Sequence, residues 1–377
     1  MHEPIRLLLL GDVMTGRGID QILPHPGDPT LYEDFMDSAL GHVELAEQAG
    51  ARIPRPASFA CVWGDVFEGL EASRLRLINL ETAITADGWP WPDKPVLYRM
   101  HPRNVPVLSA GRIDACALAN NHILDWGPPG LRDTLETLDA AGIRHAGAGM
   151  NASQAEAPAL LEAGPGRRVL FFAAGSVTSG VPPSWAAGEG RPGVHLLEAR
   201  SDPPEVFLAR RLEALRRPGD PVVVSIHWGA NWGYEIPPGH RLLAHRLVDA
   251  GADVIHGHSS HHVKAFEVYR DRLILYGCGD FLNDYEGIEG YAAFRGDLGL
   301  MYLVDLDPSS GTLGELRMVP TRVRDFRVQR ASGEDAAWLE RTLNREGAPF
   351  GIRVRREEGS LLRLDRRSGD GARAGIQ

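Results

Sequence analysis

Residues 251–284 read GADVIHGHSSHHVKAFEVYRDRLILYGCGDFLND. Four histidines fall within seven residues of this stretch, namely His256, His258, His261 and His262. They follow a short apolar run that predicts a buried strand, and two more strand-like runs come after them. Histidine is the commonest metal ligand and the side chain that most readily exchanges protons near neutral pH. Because α/β proteins place such chemistry at strand ends, the stretch indicates an α/β fold with a site at this point.

The composition is that of a folded protein with a large core. The chain has 377 residues, of which 43% are apolar. The formal net charge of −10 argues against nucleic-acid binding, which needs a basic surface. We predict one two-sheet domain over residues 1–330 and a helix and hairpin extension packed on it over residues 331–365. The last residues, 366–377, are predicted to form a disordered tail.

Cysteine usage and the N-terminal sequence bear on the cellular compartment. The three cysteines, Cys61, Cys116 and Cys278, are widely spaced and include no C-x-x-C pair. A disulfide framework is therefore not expected, and a reducing environment fits. The apolar run near the N-terminus is too short for a signal peptide or a membrane span. We therefore expect a cytoplasmic protein without a membrane anchor.

Buried-strand patterns alternate with helical patterns up to about residue 262, as in a parallel α/β sheet. The predicted strands of this part cover residues 5–10, 75–80, 113–118, 142–146, 169–174, 221–226 and 253–256. Beyond it, strand follows strand at residues 263–269, 272–277, 298–306 and 313–319. Residues 333–346 show helical periodicity, and residues 351–364 fit a small hairpin.

Polar residues of similar kinds follow five of these strands. They are Asp12, then Asn79 with Glu81, Asn121 with His122, His227, and His258 with His261. Parallel strands present their carboxyl ends along one crevice, so residues distant in sequence can converge there. Carboxylate, amide oxygen and imidazole form the mixed donor set that suits Mn²⁺, Fe²⁺ or Zn²⁺. The same groups without a metal could form an acid/base site.

Six motifs carry a family resemblance. GDVMTGR, NLE, ANNH-x-x-D-x-G, HWG, HGHSSHH and YGCGDF occur in this order over roughly residues 5–320. Together they resemble the CapA family of poly-γ-glutamate capsule synthesis (PGA_cap), which is similar to the calcineurin-like metallophosphoesterases. The resemblance implies a four-layer α/β/β/α sandwich of two mixed sheets, the calcineurin-like metallophosphatase fold. It places the site at the strand ends between the layers.

The resemblance also assigns roles to the polar residues in the first half of the chain. Asp12 matches the first metal-binding aspartate. Glu81, with Asn79 beside it, stands where a bridging carboxylate lies. Asn121 matches the asparagine ligand, and His122 matches the histidine that protonates or stabilises the reacting group.

In the second half of the chain, His227 matches the lone strand-end ligand, while His258 and His261 stand near a terminal His-x-His pair. Two departures weaken the match to a two-metal site. The phosphoesterase pattern begins Asp-x-His, whereas this chain has Met14, and Asp280 stands where many relatives have asparagine. The cofactor implied is one or two divalent ions, or none.

Three functional hypotheses follow. The first is a CapA-like hydrolase that acts, with one or two ions, on a phosphoester or on an amide of a peptide-like or envelope polymer. The second is a metal-independent peptide epimerase, similar to those of lasso-peptide precursors, in which Asp12 faces His122, His261 or Asp280. The third is a non-catalytic component of poly-γ-glutamate or capsule synthesis. In the catalytic hypotheses, the substrate is a small molecule, a peptide or a polymer.

Three further residues are candidates for binding substrate. Arg17 lies just past the Asp12 strand end and could bind an anionic group or form a salt bridge. Arg99 could play either part as well. Trp228, in the HWG motif, is a candidate for a wall of the site or for the core.

Overall fold

The computed structural model of the protein describes residues 3–66, 73–285 and 290–365. The predicted disordered tail, 366–377, lies outside the described residues. The apolar runs found in the sequence form strands, and the segments between the early strands form helices, as their periodicities predict.

The strands, numbered in chain order, are β1 (Ile5–Val13), β2 (Thr30–Glu33), β3 (Met36–Ser38), β4 (Leu75–Leu80), β5 (Ala83–Ile84), β6 (Arg99–Met100), β7 (Ala115–Ala117), β8 (Arg144–Ala146), β9 (Ala148–Gly149), β10 (Ala159–Glu162), β11 (Arg168–Gly175), β12 (Gly193–Val194), β13 (Val222–His227), β14 (Val254–His258), β15 (Phe266–Tyr269), β16 (Arg272–Leu275), β17 (Asp280–Leu282), β18 (Leu298–Leu306), β19 (Leu313–Arg324), β20 (Arg327–Arg330), β21 (Val354–Arg356) and β22 (Leu362–Leu364). The α-helices are α1 (Arg17–Ile22), α2 (Leu40–Gln48), α3 (Pro106–Ala110), α4 (Gly127–Ala140), α5 (Ala152–Ala155), α6 (Pro204–Leu215), α7 (Pro238–Asp249) and α8 (Gly333–Gly347).

Two large mixed sheets form the centre of the molecule. The first has the order β21-β22-β19-β18-β1-β4-β7-β8, with β17 also beside β1 and β20 beside β19. The second has the order β10-β11-β13-β14-β16-β15. Strands β1, β4, β7 and β8 are parallel, and so are β11, β13, β14 and β16. The two parallel sets supply the strand ends that the sequence predicted to converge.

Alternating side chains of each central strand enter different apolar layers. In β1, Leu7 lies in the layer between the two sheets, whereas Leu8 lies in the layer that also holds residues of α1 to α4. In β11, Phe171 faces the inter-sheet layer, and Leu170 faces the layer shared with α6 and α7. Successive side chains of a strand point to opposite faces, so both sheets are covered on both sides. The predicted four-layer α/β/β/α sandwich of two mixed sheets is confirmed.

The C-terminal segment packs against the first sheet. The hairpin of β21 and β22 pairs with β19, extending that sheet by two strands. Leu339 and Leu343 of α8 lie in the inter-sheet apolar layer with residues of the hairpin. Because the first sheet is wider than the second, this helix covers inner-face area that the second sheet leaves open. A domain boundary near residue 330 stays a prediction.

Strand β1 changes its neighbour part-way along its length. Its first half pairs antiparallel with β18, from Ile5 to Leu9, and its last residues pair parallel with β17. In this register Asp12 lies opposite Asp280 on one side and opposite Asn79 of β4 on the other. The sequence patterns did not predict the short β17 as a separate strand. It brings a second carboxylate to the end of β1 that carries Asp12.

The change of neighbour requires a close backbone approach at Gly11. The N–H of Asp12 donates to the Gly279 carbonyl over 3.0 Å, and a Cβ on Gly11 would overlap that same oxygen. Gly11 is therefore needed for space, since only glycine lets the two backbones come this close.

We predict that Gly11→Ala lowers the free energy of unfolding by about 1–3 kcal/mol, because the neighbouring atom is backbone and cannot rotate away. The control is Gly190→Ala, which adds a methyl group at an exposed glycine with no heavy atom within 4 Å. Urea denaturation of both variants and the parent measures the effect. Equal unfolding free energies for the two variants would contradict this account of Gly11.

Candidate functional site

The carboxyl ends of the parallel strands bring five polar residues together. Asp12 comes from β1, Asn79 from the end of β4 and Glu81 from the next turn, while His227 and His258 end β13 and β14. His227 and His258 are direct cross-strand partners, as are Asp12 and Asn79. Each of the five is at most 2% exposed. The site is therefore a desolvated cluster between the two sheets.

Asp12, His227 and His258 form a group whose ligand atoms all lie within 4.8 Å of one another. His258 Nδ1 is 2.9 Å from His227 Nδ1 and 3.9 Å from Asp12 Oδ1. Burial, together with the neighbouring imidazoles, holds the pKa of both histidines well below the usual range. A carboxylate and two neutral imidazoles are a donor set that fits Mn²⁺, Fe²⁺ or Zn²⁺.

Two more oxygen donors lie on the other side of His227. Asn121 Oδ1 is 3.0 Å from His227 Nε2, and Glu81 Oε1 is 3.9 Å from the same nitrogen. Glu81 Oε1 is also 3.8 Å from Nε2 of His122. The predicted ligands Asp12, Glu81, Asn121, His227 and His258 are thus brought together, whereas His261 contacts a different group.

The orientation of the Asn120 amide is set by the backbone. Asn120 Oδ1 accepts the backbone N–H of His122 over 3.0 Å. Its Nδ2 donates to the Leu80 carbonyl over 2.8 Å and to Asn79 Oδ1 over 3.0 Å. Asn120 therefore orients its neighbours, which separates its role from that of the adjacent Asn121.

The fixed Asn120 amide in turn orients Asn79. Since Asn79 Oδ1 accepts from Asn120, its NH₂ group must point the other way. It donates to Asp12 Oδ1 over 2.8 Å and to Glu81 Oε2 over 3.2 Å. Asn79 presents hydrogen atoms to the two carboxylates, so in this orientation it is not a metal ligand.

The two carboxyl groups held by Asn79 are unusually basic. Burial, reinforced by the Asp280 carboxylate, raises the pKa of Asp12 to about 7. Burial and the charge of Asp12 raise the pKa of Glu81 well above its usual range. The shared Asn79 amide holds the two carboxyl groups close together. Near neutral pH the pair can hold one shared proton in addition to negative charge.

A second proton-bearing group lies beside Asp12. His261 Nδ1 is 2.9 Å from Asp280 Oδ1, and the Tyr285 hydroxyl donates to Asp280 Oδ2 over 2.6 Å. Burial opposes the charged form of His261, but the adjacent Asp280 carboxylate outweighs it and raises the histidine pKa. Met14, which is 1% exposed, places its thioether 3.7 Å from the Tyr285 hydroxyl. This face of the site thus has an apolar thioether at the position where the phosphoesterase pattern has histidine.

His122 lies at the opposite edge of the cluster in an unexpected pairing. Its Nδ1 is 2.7 Å from Asp125 Oδ2 and 3.0 Å from Lys94 Nζ. Lys94 also contacts Asp125 Oδ1 over 2.8 Å. Burial and the Lys94 ammonium together lower the pKa of His122 to about 4, although Asp125 opposes the shift. His122 is therefore neutral at pH 7, with Nε2 directed toward Glu81.

This cluster belongs to a chain whose similarity to known proteins is extensive. The model of the bacterial capsule synthesis protein PGA_cap family matches residues 6–285. The chain is a member of the PGA_cap family. A Mycobacterium tuberculosis protein named "Probable polyglutamine synthesis accessory protein" is 51% identical over 96% of this chain and 96% of its own length. The predicted family resemblance is confirmed.

Two capsule proteins are more distant relatives. The PGA biosynthesis protein CapA of Bacillus subtilis is 30% identical over 73% of this chain and 62% of its own length. The capsule biosynthesis protein CapA of Bacillus anthracis is 30% identical over 75% of this chain and 61% of its own length.

The arginines predicted to bind substrate in this PGA_cap protein are already engaged. Arg17 is 6% exposed and forms ion pairs with Asp284 over 2.5 Å and with Glu33 over 2.7 Å. The Arg99 guanidinium lies 3.7 Å from the centre of the Trp126 ring. A substrate role for either arginine stays a prediction, and it would require an anion to compete with these partners.

Trp228 has the surroundings of a core residue. It is 3% exposed, its indole N–H donates to the Tyr276 carbonyl over 3.0 Å, and it stacks on His240. It lies in the apolar layer shared with α6 and α7. Contact between this side chain and a substrate stays a prediction.

The structure also bears on the predicted absence of a membrane anchor. Within residues 3–66, 73–285 and 290–365, no helix combines the length and apolar character that a bilayer crossing requires.

Sequence reasoning missed Lys94 and Tyr285 as members of the site. The rarity of lysine in this chain could have drawn attention to Lys94, which is one of two lysines among 40 basic residues. It also lies in the Pro/Trp-rich loop GWPWPDK, which has no regular secondary structure. Nothing in the local sequence marks Tyr285, because its contacts depend on how β17 lies against β1.

We predict that Lys94→Met raises the pKa of His122, because the ammonium disfavours the imidazolium while Asp125 remains in place. An NMR pH titration of the His122 ring measures the shift, and the thermal midpoint reports on folding. Lys264→Met is the control, since it removes the other lysine, which contacts the Glu235 carbonyl. An unchanged His122 pKa in a folded Lys94→Met protein would contradict the assigned pairing.

Proposed function

We propose that this PGA_cap protein is a metal-dependent hydrolase that cleaves an amide bond in a peptide-like polymer of envelope synthesis. The observation that carries the proposal is the buried group of Asp12, His227 and His258, with Glu81 and Asn121 beside it. The names of the relatives, which refer to polyglutamine and capsule synthesis, supply the class of polymer.

The charge of the site favours an amide over a phosphoester. Three carboxyl groups surround it, those of Asp12, Glu81 and Asp280, whereas Arg17 is paired with Asp284 and Glu33 and the Lys94 ammonium with Asp125. A phosphoryl group would bring further negative charge to this position, whereas an amide carbonyl is neutral. One ion held by Asp12, His227 and His258, with Asn121 as an additional donor, would supply Lewis acidity toward that carbonyl.

The acid and base roles follow from the raised pKa values of a carboxyl group and of His261. Glu81, whose pKa is raised well above its usual range by burial and by the charge of Asp12, is the candidate to accept a proton from the attacking water. His261, with its raised pKa, is the candidate to protonate the leaving amine. His122 is neutral at pH 7, which suits it for orienting the water through Nε2.

We predict that His227→Ala removes the ion and lowers hydrolysis by about 100-fold or more, since loss of a directly bound donor should cost at least as much as loss of a supporting partner. Metal content is measured by elemental analysis of protein purified without chelators. Activity is measured as shortening of poly-γ-glutamate, with bis(p-nitrophenyl) phosphate as the phosphoester probe.

The matched control is His145→Ala, a histidine that pairs with Asp139 outside the cluster. It should keep both the ion and the activity. A metal-free parent protein that gains no activity on addition of Mn²⁺ or Zn²⁺ would overturn the proposal. Cleavage of bis(p-nitrophenyl) phosphate without shortening of poly-γ-glutamate would identify a phosphoester, rather than an amide, as the substrate class.

A second candidate function, peptide epimerisation, is favoured by the proton-bearing groups on two sides of Asp12. The Asp12–Glu81 pair could remove a Cα proton while His261 returns one from the other side. Met14, a poor ligand at the position of the missing histidine, also fits a site that works without a metal ion.

For epimerisation we predict deuterium incorporation at one Cα of a peptide substrate in D₂O, because proton removal and return exchange with solvent. The exchange should persist in EDTA and be lost in Asp12→Asn, which keeps the shape of the side chain but removes the base. Mass spectrometry measures the label. Chain cleavage without any Cα label would reject this candidate in favour of hydrolysis.

A further inference from the structure

A continuous hydrogen-bonded chain connects the backbone of β1 to His258. The Leu10 carbonyl oxygen is 2.8 Å from His256 Nε2. His256 Nδ1 is 3.0 Å from Ser225 Oγ, and Ser225 Oγ is 2.9 Å from His258 Nε2. All three side chains are buried, at 0%, 0% and 1% exposure for His256, Ser225 and His258. Of these three residues, only His258 belongs to the ligand group described above.

The positions of the hydrogens follow from the first link. A carbonyl oxygen only accepts, so the hydrogen of His256 lies on Nε2. Within the buried chain this imidazole is neutral, and its Nδ1 therefore accepts the single hydrogen of the Ser225 hydroxyl. The Ser225 oxygen must then accept a hydrogen from His258 Nε2. In a neutral ring this leaves His258 Nδ1 with a lone pair.

The bare nitrogen of His258 points into the ligand group. It lies 2.9 Å from His227 Nδ1 and 3.9 Å from Asp12 Oδ1. His227 Nε2 faces the amide oxygen of Asn121 over 3.0 Å and is suited to donate to it. In that tautomer His227 Nδ1 also carries a lone pair, with the Asn79 amide nitrogen 3.5 Å away, and a divalent ion beside the two imidazoles would bind both lone pairs.

We propose that Ser225 and His256 are positioning residues that hold His258 in its Nε2–H tautomer, so that Nδ1 is the atom presented to a divalent ion. The ion itself rests on the proposed function. The tautomer does not, since it follows from contacts on the far side of the ring. Supporting hydrogen bonds of this kind orient ligating histidines and fix which nitrogen binds.

The first test measures ion affinity in the full-length protein. Ser225→Ala removes the hydroxyl link and should weaken Mn²⁺ or Zn²⁺ binding by about 10- to 100-fold in competition with a fluorescent chelator. Ser260→Ala is the matched control, because it also removes a buried hydroxyl, one that donates to the His262 carbonyl. It should leave the affinity unchanged. Equal affinities for the parent and a folded Ser225→Ala protein would overturn the proposal.

The second test needs neither a variant nor a metal. Two-bond proton–nitrogen correlation spectra of the ¹⁵N-histidine-labelled parent protein in EDTA report the tautomer of His258 directly. The Nε2–H form supports the proposal, and the Nδ1–H form overturns it. A parent protein that shows the Nε2–H form but binds no ion would defeat the metal-dependent function while leaving the positioning role intact.

Discussion

The burial of the Asp12 carboxyl group is the constraint on which the site depends. Asp12 is fully buried, and a buried carboxylate is stable only if donors replace the water it has lost. Two donors meet it, the Asn79 amide and the backbone N–H of Ser259. The first comes from the neighbouring strand of the same sheet and the second from the loop after β14 in the other sheet. Both sheets are therefore required to stabilise this single carboxyl group.

The same burial separates the proton affinities of the surrounding groups. Where carboxyl groups crowd together, protons are held more tightly, as at Asp12 and at His261 beside Asp280. At His122, burial and the Lys94 ammonium outweigh the Asp125 carboxylate, and the proton is released. Groups of opposite proton affinity thus occupy opposite edges of one cleft. Both proposed reactions, amide hydrolysis and Cα epimerisation, draw their proton acceptor and donor from the carboxyl-rich edge.

Apolar runs predicted the central strands because a strand covered on both faces must be apolar on both faces. Strand-end position predicted Asp12 and His227 for the same topological reason. The family resemblance placed His258 and His261 together as a ligand pair, but the partner of each depends on what the second sheet or β17 supplies. His258 meets Asp12 and His227, whereas His261 meets Asp280. The contact of Lys94 with His122 could not be predicted either, because a loop without helical or strand periodicity gives no direction for its side chains.

The change of neighbour along β1 has a consequence for how the protein folds. One half of this strand pairs with β18 and its end pairs with β17, both of which lie far toward the other end of the chain. Such long-range pairing is slow, because the entropy of closing a large loop is lost before the favourable contacts form. During synthesis, Asp12 cannot pair with Asp280 until β17, in the last third of the chain, has left the ribosome. A chain that ends before β17 therefore cannot form the cleft.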